Sequence, residues 1–469
     1  MSLLDRPAKE IAAAVRAREA TAREVAEAAL ARIEATNPGL GAFTDITADR
    51  ARTAADRVDA AVAQGRDPGP LAGVPFAAKN LFDIAGLVTR AGAKIERDKP
   101  PAARDATLVA RLEAAGALCL GALNMGEYAY DFTGENAHDG PSRNPHAPGH
   151  MSGGSSGGSG TAVAAGMVAL ALGSDTNGSI RVPAAFCGLF GLKPTFGGLS
   201  RAGSFPFVAS LDHVGPLARS AADLAAAFDA MAGPNPADPA CRSETPAPLF
   251  PELDKSIDGL RIANLGGYFG ERAEPGALAA VARVGTALNA RRAEFPLAEA
   301  ARAAAYLVTM AEGAALHLPR LRARAADYDP EVRDRLIAGA LLPAAWVVQA
   351  QKLRRAARDS ALALFAEHDI LLAPATPCAA PRAGQKTFTL GGQEMLLRPN
   401  IGLFTQPVSC IGLPVVAVPV WPDDGGLPFG VQVIAPPHRE DLALRVAHHL
   451  ERTGLARAPV AKTIAGAAA

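Results

Sequence analysis

The sequence predicts an α/β protein built in layers. Three observations carry this. Stretches with apolar residues at helical spacing are repeatedly followed by short, uninterrupted apolar runs of strand length. The chain has 469 residues, 49% hydrophobic and 20% charged, ample for a large core in one α/β domain or two. Two glycine-serine loops also flank a short apolar segment that reads first as helix and then as buried strand.

The elements follow in order. Residues 1–65 are helical in pattern. Thr21-Ala22-Arg23-Glu24 is a capping-box start, Val25, Ala28, Leu30 and Ile33 follow at helical spacing, and Asn37-Pro38-Gly39 is expected to end the helix. Residues 71–78 form an apolar run that places Lys79 at the end of a buried strand. Residues 102–116 read as a helix with Asp105 as its cap, Leu108, Val109 and Leu112 as its apolar stripe, and Gly116 as its stop. A short strand at 117–120 leads into Asn124-Met125-Gly126-Glu127-Tyr128, a loop expected to line the site. Residues 161–165 suit a helix and 168–172 a strand.

Six prolines between 233 and 251 mark the one linker-like stretch, either a domain boundary or a surface excursion. Beyond it, 260–265 reads as strand and 277–292 as helix. Residues 298–366 are alanine- and arginine-rich helices whose charge forms a solvated face. Strands are expected at 369–373, 414–420 and 430–434, a helix at 441–451, and a frayed tail from Lys462. There is no internal repeat.

Composition narrows the function. Forty-seven basic residues balance forty-seven acidic ones, so nothing points to nucleic acid or an anionic membrane as partner. Cys119, Cys187, Cys241, Cys378 and Cys410 lack CxxC spacing, which implies neither a disulfide framework nor a zinc site and fits a reducing cytoplasm. The N-terminus carries Asp5, Lys9 and Glu10 rather than a secretory apolar region, and the apolar run 408–421 is short and broken by Pro414 and Pro419. The expectation is a soluble cytoplasmic protein.

The chemistry concentrates in GHMSGGSSGGSGTAVAAGMVALALGSDTNGSIRVP, residues 149–183. Glycines let each loop approach a ligand and turn its N–H groups inward. Taken separately, the loops also read as a linker, a phosphate cradle or plain tight turns. The Lys-Ser/Thr ending of a P-loop is missing, however, and the first loop runs directly into apolar, periodic sequence. Both loops deliver a serine, Ser155 and Ser179, and Lys79 waits upstream.

These residues resemble the amidase signature family, through LAGVPFAAKN, GGSSGGSG and GSDTNGSIRVPAAFCGLFGLKPT, with the two serines 24 positions apart. The likeness is strong from about Leu71 to Pro216 and continuous, though weaker, to the C-terminus. It implies a central mixed β-sheet covered by helices on both faces, in one amidase domain over residues 1–469. Within it lie a helical region of about 1–65, a signature core of about 66–220, the excursion at 233–251, and a C-terminal α/β part at 258–460. The resemblance further implies that Ser179 is the nucleophile, Ser155 relays its proton after a cis peptide, and Lys79 is the base. No metal or other cofactor is implied. Lys79 must then be neutral, and moving a lysine from about 10.4 to near 7 costs roughly 4–5 kcal/mol, which burial in the 71–78 run can supply. The oxyanion hole falls to the N–H groups of Thr176, Asn177, Gly178 and Ser179. Most of the family has glycine in place of Asn177, whose tolerance of left-handed backbone is expected to preserve the turn.

Other constellations are weaker. Asp212 and His213 are adjacent, so the aspartate is badly placed to aim the imidazole at Ser179. Pro148 and Gly149 between His146 and His150 exclude a helical ligand pair. Phe186, Leu189 and Phe190 mark Cys187 as core rather than nucleophile.

TNGSIRVP, SRAGSFPFVASLDHVGPLARS and LFTQPVSCIGLPVVAVPV look most like the family's carboxybiuret-hydrolysing branch. That implies a small amide or ureide substrate, ammonia release, a small helical partner subunit, and a homodimer or heterotetramer. Two alternatives are the amidase subunit of a glutamine-dependent tRNA amidotransferase and a broad aliphatic or aryl amidase. The former branch binds the glutamine amino group with an acidic residue five before Pro407, where this chain has Gly402. Its carboxylate-binding arginine aligns with Arg354 in Ala350-Gln351-Lys352-Leu353-Arg354. Asn177, Tyr128 and Arg354 are therefore the expected substrate contacts.

Overall fold

A computed structural model describes residues 2–462; the residues past Lys462, for which fraying is the expectation, lie outside the described residues. Strands β1 (Phe43–Ile46), β2 (Pro75–Lys79), β3 (Leu118–Leu123), β4 (Leu170–Asp175), β5 (Phe190–Lys193) and β6 (His213–Ala218) precede the proline-rich stretch. After it come β7 (Ile262–Leu265), β8 (Arg291–Ala293), β9 (Ile370–Pro374), a β10–β11 hairpin (Thr387–Leu390 and Gln393–Leu396), β12 (Val415–Val420) and β13 (Phe429–Ile434). Eleven of these make one mixed sheet in the order β1-β3-β2-β4-β6-β5-β12-β13-β9-β7-β8. The sheet takes strands from both sides of 233–251. Helices flank the sheet, as the α/β pattern requires.

Strands β2, β3, β4, β5, β6, β9 and β12 are buried at every residue. This is why they read as unbroken apolar runs rather than alternating ones. β2 is parallel to both β3 and β4, with Lys79 opposite Leu123 and Ala78 opposite Leu172. Three strands therefore deliver their carboxyl ends to one place, the usual position for a site in an open α/β sheet.

Several boundaries differ from the expectation. The Ala22–Leu40 helix runs through Pro38, which lies in its last turn, and ends where left-handed Gly41 caps it. Asp105 does not cap the Thr107–Ala114 helix; Ala106 takes that position, and both Asp105 oxygens bind Arg50. The glycine-rich helix spans Gly157–Ala164, starting directly after the first serine pair. The helix expected to reach 292 ends at Ala287, and β8 takes up the remainder. The alanine- and arginine-rich region forms three helices, Ala298–Arg324, Pro330–Ala340 and Ala344–Leu364. Among the described residues no single helix is long and apolar enough to cross a membrane.

Candidate active site

Lys79 is fully buried at the end of β2. Its Nζ lies 2.6 Å from Ser155 Oγ, 2.9 Å from Ser174 Oγ and 3.1 Å from Ser156 Oγ. Burial pushes its pKa from 10.5 down to about 7, against an upward pull from Asp175, Asp212 and Asp131. A neutral amine has two N–H donors and one lone pair, which suits three hydroxyl neighbours: it donates to two and accepts from one. Ser156 Oγ spends its own proton on the Ser174 carbonyl at 3.2 Å, so Ser155 and Ser174 are the hydroxyls free to donate to the amine.

The Gly154–Ser155 peptide is cis. Glycine is required at 154, because a Cβ there would overlap Asp131 Oδ2. That carboxylate is committed to the loop that follows it, accepting from the Thr133 and Gly134 amides at 2.9 and 2.7 Å.

The second serine is held by a buried clamp. Asp175, at the end of β4, forms a two-pronged ion pair with Arg181, both prongs at 2.9 Å and both residues wholly buried. Arg181 also donates to Gln432 Oε1, the Thr405 carbonyl and Ser409 Oγ, so its donors are well used. The guanidinium holds the Asp175 carboxyl well below its usual range despite burial. Between the two clamp residues runs the turn Thr176–Ser179. Among the described residues, no acceptor is bonded to the N–H groups of Thr176, Asn177, Gly178 or Ser179, so these donors are not used up by the fold. The left-handed position is Gly178, at φ 141° and pressed against Thr405; Asn177 does not have positive φ. The tolerance of asparagine for left-handed backbone is thus not what preserves this turn.

Ser179, Thr176 and Asn177 open onto a small cavity whose other walls include Tyr130, Thr309 and Arg335. Asn177 Nδ2 donates to Thr309 Oγ1 at 2.8 Å, while its Oδ1 is buried without a partner. Ser174 and Asp212 line a second cavity, which shares Thr176 with the first.

Two expected substrate contacts lie elsewhere. Tyr128 does not line the cavity: its hydroxyl donates to Glu96 Oε1 at 3.0 Å and its ring packs against Phe205, His317 and Tyr328. Left-handed backbone at Tyr128 and Ala129 turns the chain, so that Tyr130 supplies the aromatic wall instead. Arg354 donates to the Cys410 and Ser210 carbonyls, both at 2.7 Å, and lines a separate surface groove with Arg355 and Arg358. Its role here is to tie helix Ala344–Leu364 to the body of the protein.

The weaker constellations follow their chemistry. Asp212 accepts from Thr176 Oγ1 at 2.6 Å and from the Phe207 and Val208 amides, whereas His213 Nδ1 donates to the Leu211 carbonyl, so the two do not act as a pair. Cys187 is buried and its thiol pKa is raised by desolvation, the opposite of a nucleophile's needs. Sequence reasoning missed Ser156 and Ser174 around the lysine, and Tyr130, Thr309 and Arg335 around the cavity. The serines were visible as neighbours of the motif serines; the other three carry no local signal.

Comparison with known proteins agrees with this geometry. The Amidase family model matches residues 24–444. The chain is 53% identical to AtzE, a component of the 1-carboxybiuret hydrolase of Pseudomonas sp. (strain ADP), over 96% of this chain and 98% of that protein. It is 37% identical to a glutamyl-tRNA(Gln) amidotransferase subunit from Synechococcus sp. (strain WH7803), over 92% and 94% of the two chains. Among solved structures, a component of a vestigial protein complex bearing on the origins of an s-triazine catabolic enzyme superposes with a TM-score of 0.95. It is 53% identical, with 96% of this chain and 99% of that one covered. The protein belongs to the amidase signature family and is an amidohydrolase.

Proposed function

We propose that the protein hydrolyses the terminal C–N bond of a small anionic ureide, 1-carboxybiuret or a near relative, with release of ammonia. Ser179 Oγ attacks the amide carbon while its proton passes through Ser155 to neutral Lys79. The carbonyl oxygen takes up negative charge facing the N–H groups of 176–179. Collapse breaks the C–N bond, and the proton held on Lys79 returns through Ser155 to the leaving nitrogen, which departs as ammonia. Water then repeats the sequence on the acyl-enzyme, and the product leaves as a carboxylate. The observation that carries this reading is the buried Lys79 amine, 2.6 Å from Ser155 Oγ and poised near neutrality.

The substrate class rests on the 53% identity to a component of a 1-carboxybiuret hydrolase. Gly402 argues against glutamine: a side chain there would run into the Phe132 ring at its first carbon, leaving no room for a carboxylate to hold an amino group. The same relatives, one named as a subunit of a hydrolase and the other found in a protein complex, support a partner subunit, for which the small helical chain remains our proposal. Outward-facing Leu341, Trp346 and Val348 support a bound partner as well.

An ammonia-release screen tests this over carboxybiuret, biuret, allophanate, malonamate, glutamine and aryl amides. The highest kcat/KM is expected for carboxybiuret; preference for glutamine or an aryl amide would contradict the substrate assignment. Purification under mild conditions, followed by mass measurement of the native species, tests the partner.

A further inference from the structure

We propose that Asn177 sets a preference for ureides over acyl amides. Its side-chain oxygen accepts a hydrogen bond from the N–H that flanks the scissile carbonyl of a ureide, where an acyl amide has a methylene. The inference deepens the function proposed above and rests on it. Asn177 lies in the turn that leads to Ser179, and its buried side chain is on the wall of the same cavity. Two contacts hold the residue. Thr405 Oγ1 donates to its backbone carbonyl at 2.7 Å, and its own Nδ2 donates to Thr309 Oγ1 at 2.8 Å. Thr309 is itself buried, on helix Ala298–Arg324. The side chain is therefore tethered between the nucleophile turn and a separate helix and cannot swing aside freely. Its one remaining polar atom, Oδ1, is buried without a partner.

Of the side-chain amide and carboxylate oxygens on this wall, Asn177 Oδ1 alone is unclaimed among the described residues. Gln406 Oε1 accepts from Arg302 Nε at 3.0 Å. Asp131 accepts from the Thr133 and Gly134 amides at 2.9 and 2.7 Å. Tyr130 Oη is also buried and unpartnered, but it carries a proton of its own, whereas Asn177 Oδ1 can only accept. A buried acceptor left unpaired is costly, and a ligand N–H removes that cost where a methylene does not. In the proposed reaction the carbonyl oxygen faces the N–H groups of 176–179, so the atoms bonded to the scissile carbon lie beside this side chain. On the retained side of that carbon a ureide has N–H and an acyl amide has carbon. This is the difference that Asn177 Oδ1 can read.

Allophanate and malonamate supply the pair for the test: both are anionic and of one length, and they differ by N–H against CH2 beside the scissile carbonyl. The quantity read is the ratio of their kcat/KM values in wild type, Asn177→Ala and Thr309→Val. Where either is not turned over, the ratio of their inhibition constants against carboxybiuret replaces it. Neither ratio depends on how much of a variant is folded, and general damage to the site lowers both terms alike. Asn177 does not have positive φ, so alanine can take the same backbone. Asn177→Ala is expected to shift the ratio towards malonamate by about tenfold or more, the scale of one buried acceptor left unpaired. Thr309→Val removes the tether but keeps the acceptor, so it should shift the ratio the same way by less. A ratio that does not move towards malonamate in Asn177→Ala, or in Thr309→Val if the alanine variant is inactive, overturns the role of Asn177 and leaves the proposed function standing. A wild-type enzyme that prefers glutamine or an aryl amide to carboxybiuret overturns the proposed function, and this inference with it.

Discussion

Two lysines in this protein share one electrostatic condition and differ in what they can do. Lys79 at the end of β2 and Lys193 at the end of β5 are both fully buried, and burial pushes each from 10.5 down to about 7. Lys79 is surrounded by hydroxyls. Lys193 donates to two backbone carbonyls, of Pro194 at 3.0 Å and of Leu413. A hydroxyl can hand its proton to a neutral amine, but a carbonyl has none to give. Desolvation alone therefore does not make a base; a proton-bearing neighbour in line with a nucleophile does.

The sharpest way to break the comparison is mutation. Ser179→Ala should lower kcat by about 10⁴-fold or more, and Lys79→Met by about 10³-fold or more. Lys193→Met should keep kcat per folded molecule within about tenfold, with stability at neutral pH changed by no more than about 1–2 kcal/mol, because relief of the amine's desolvation offsets the two orphaned carbonyls. Active-site titration combined with denaturant unfolding reads both quantities. Substantial activity in Lys79→Met, or a dead but fully stable Lys193→Met, would reverse the assignments.

The clamp beneath the nucleophile turn gives the next largest effect. Arg181→Met strands the Asp175 carboxylate in the core and should cost about 3–5 kcal/mol in urea unfolding. A loss under about 1 kcal/mol would mean that the pair does not hold the turn.

Stability against pH sharpens the contrast further. Between the folded value of about 7 and the unfolded 10.5, the unfolded chain binds more protons at Lys79, so this residue makes stability rise with pH across that window. Lys79→Met removes the penalty. The variant should be more stable than wild type by about 1–2 kcal/mol below pH 7, part of the gain being lost to the serines left without a partner. The difference should shrink as pH rises, pass through zero between 7 and 10.5, and reverse by 10.5, where only the loss of the serines' partner remains. A gain independent of pH would place its origin in packing rather than in the buried charge.

The comparison also shows what a sequence can disclose. Lys79, Ser155 and Ser179 were readable as candidates because each sits on a short local motif: an apolar strand end, and two loops whose glycines lie where a Cβ would meet close neighbours. The α/β class was readable because strands buried on both faces are apolar throughout. Substrate contacts were not readable in this way. Tyr128 and Tyr130 differ by two positions, and only the left-handed turn between them decides which one faces the cavity. Arg354 and Arg335 lie on neighbouring helices of similar composition, and the packing of those helices, rather than any pattern along the chain, puts Arg335 on the wall of the cavity with Ser179 and Arg354 on a separate groove. The Arg181 clamp lies within the recognised motif, yet its partners Gln432 and Ser409 are more than two hundred residues away.

The central claim is that neutral Lys79 is the base, and the pH dependence of kcat/KM tests it most directly, measured side by side in wild type and Lys193→Met. With chemistry rate-limiting, the predicted profile falls on the acid side with an apparent pKa near 7 in both proteins, because protonated Lys79 can no longer accept the proton relayed by Ser155. A profile flat down to about pH 5, or an acid limb that moves when Lys193 is replaced, would contradict it.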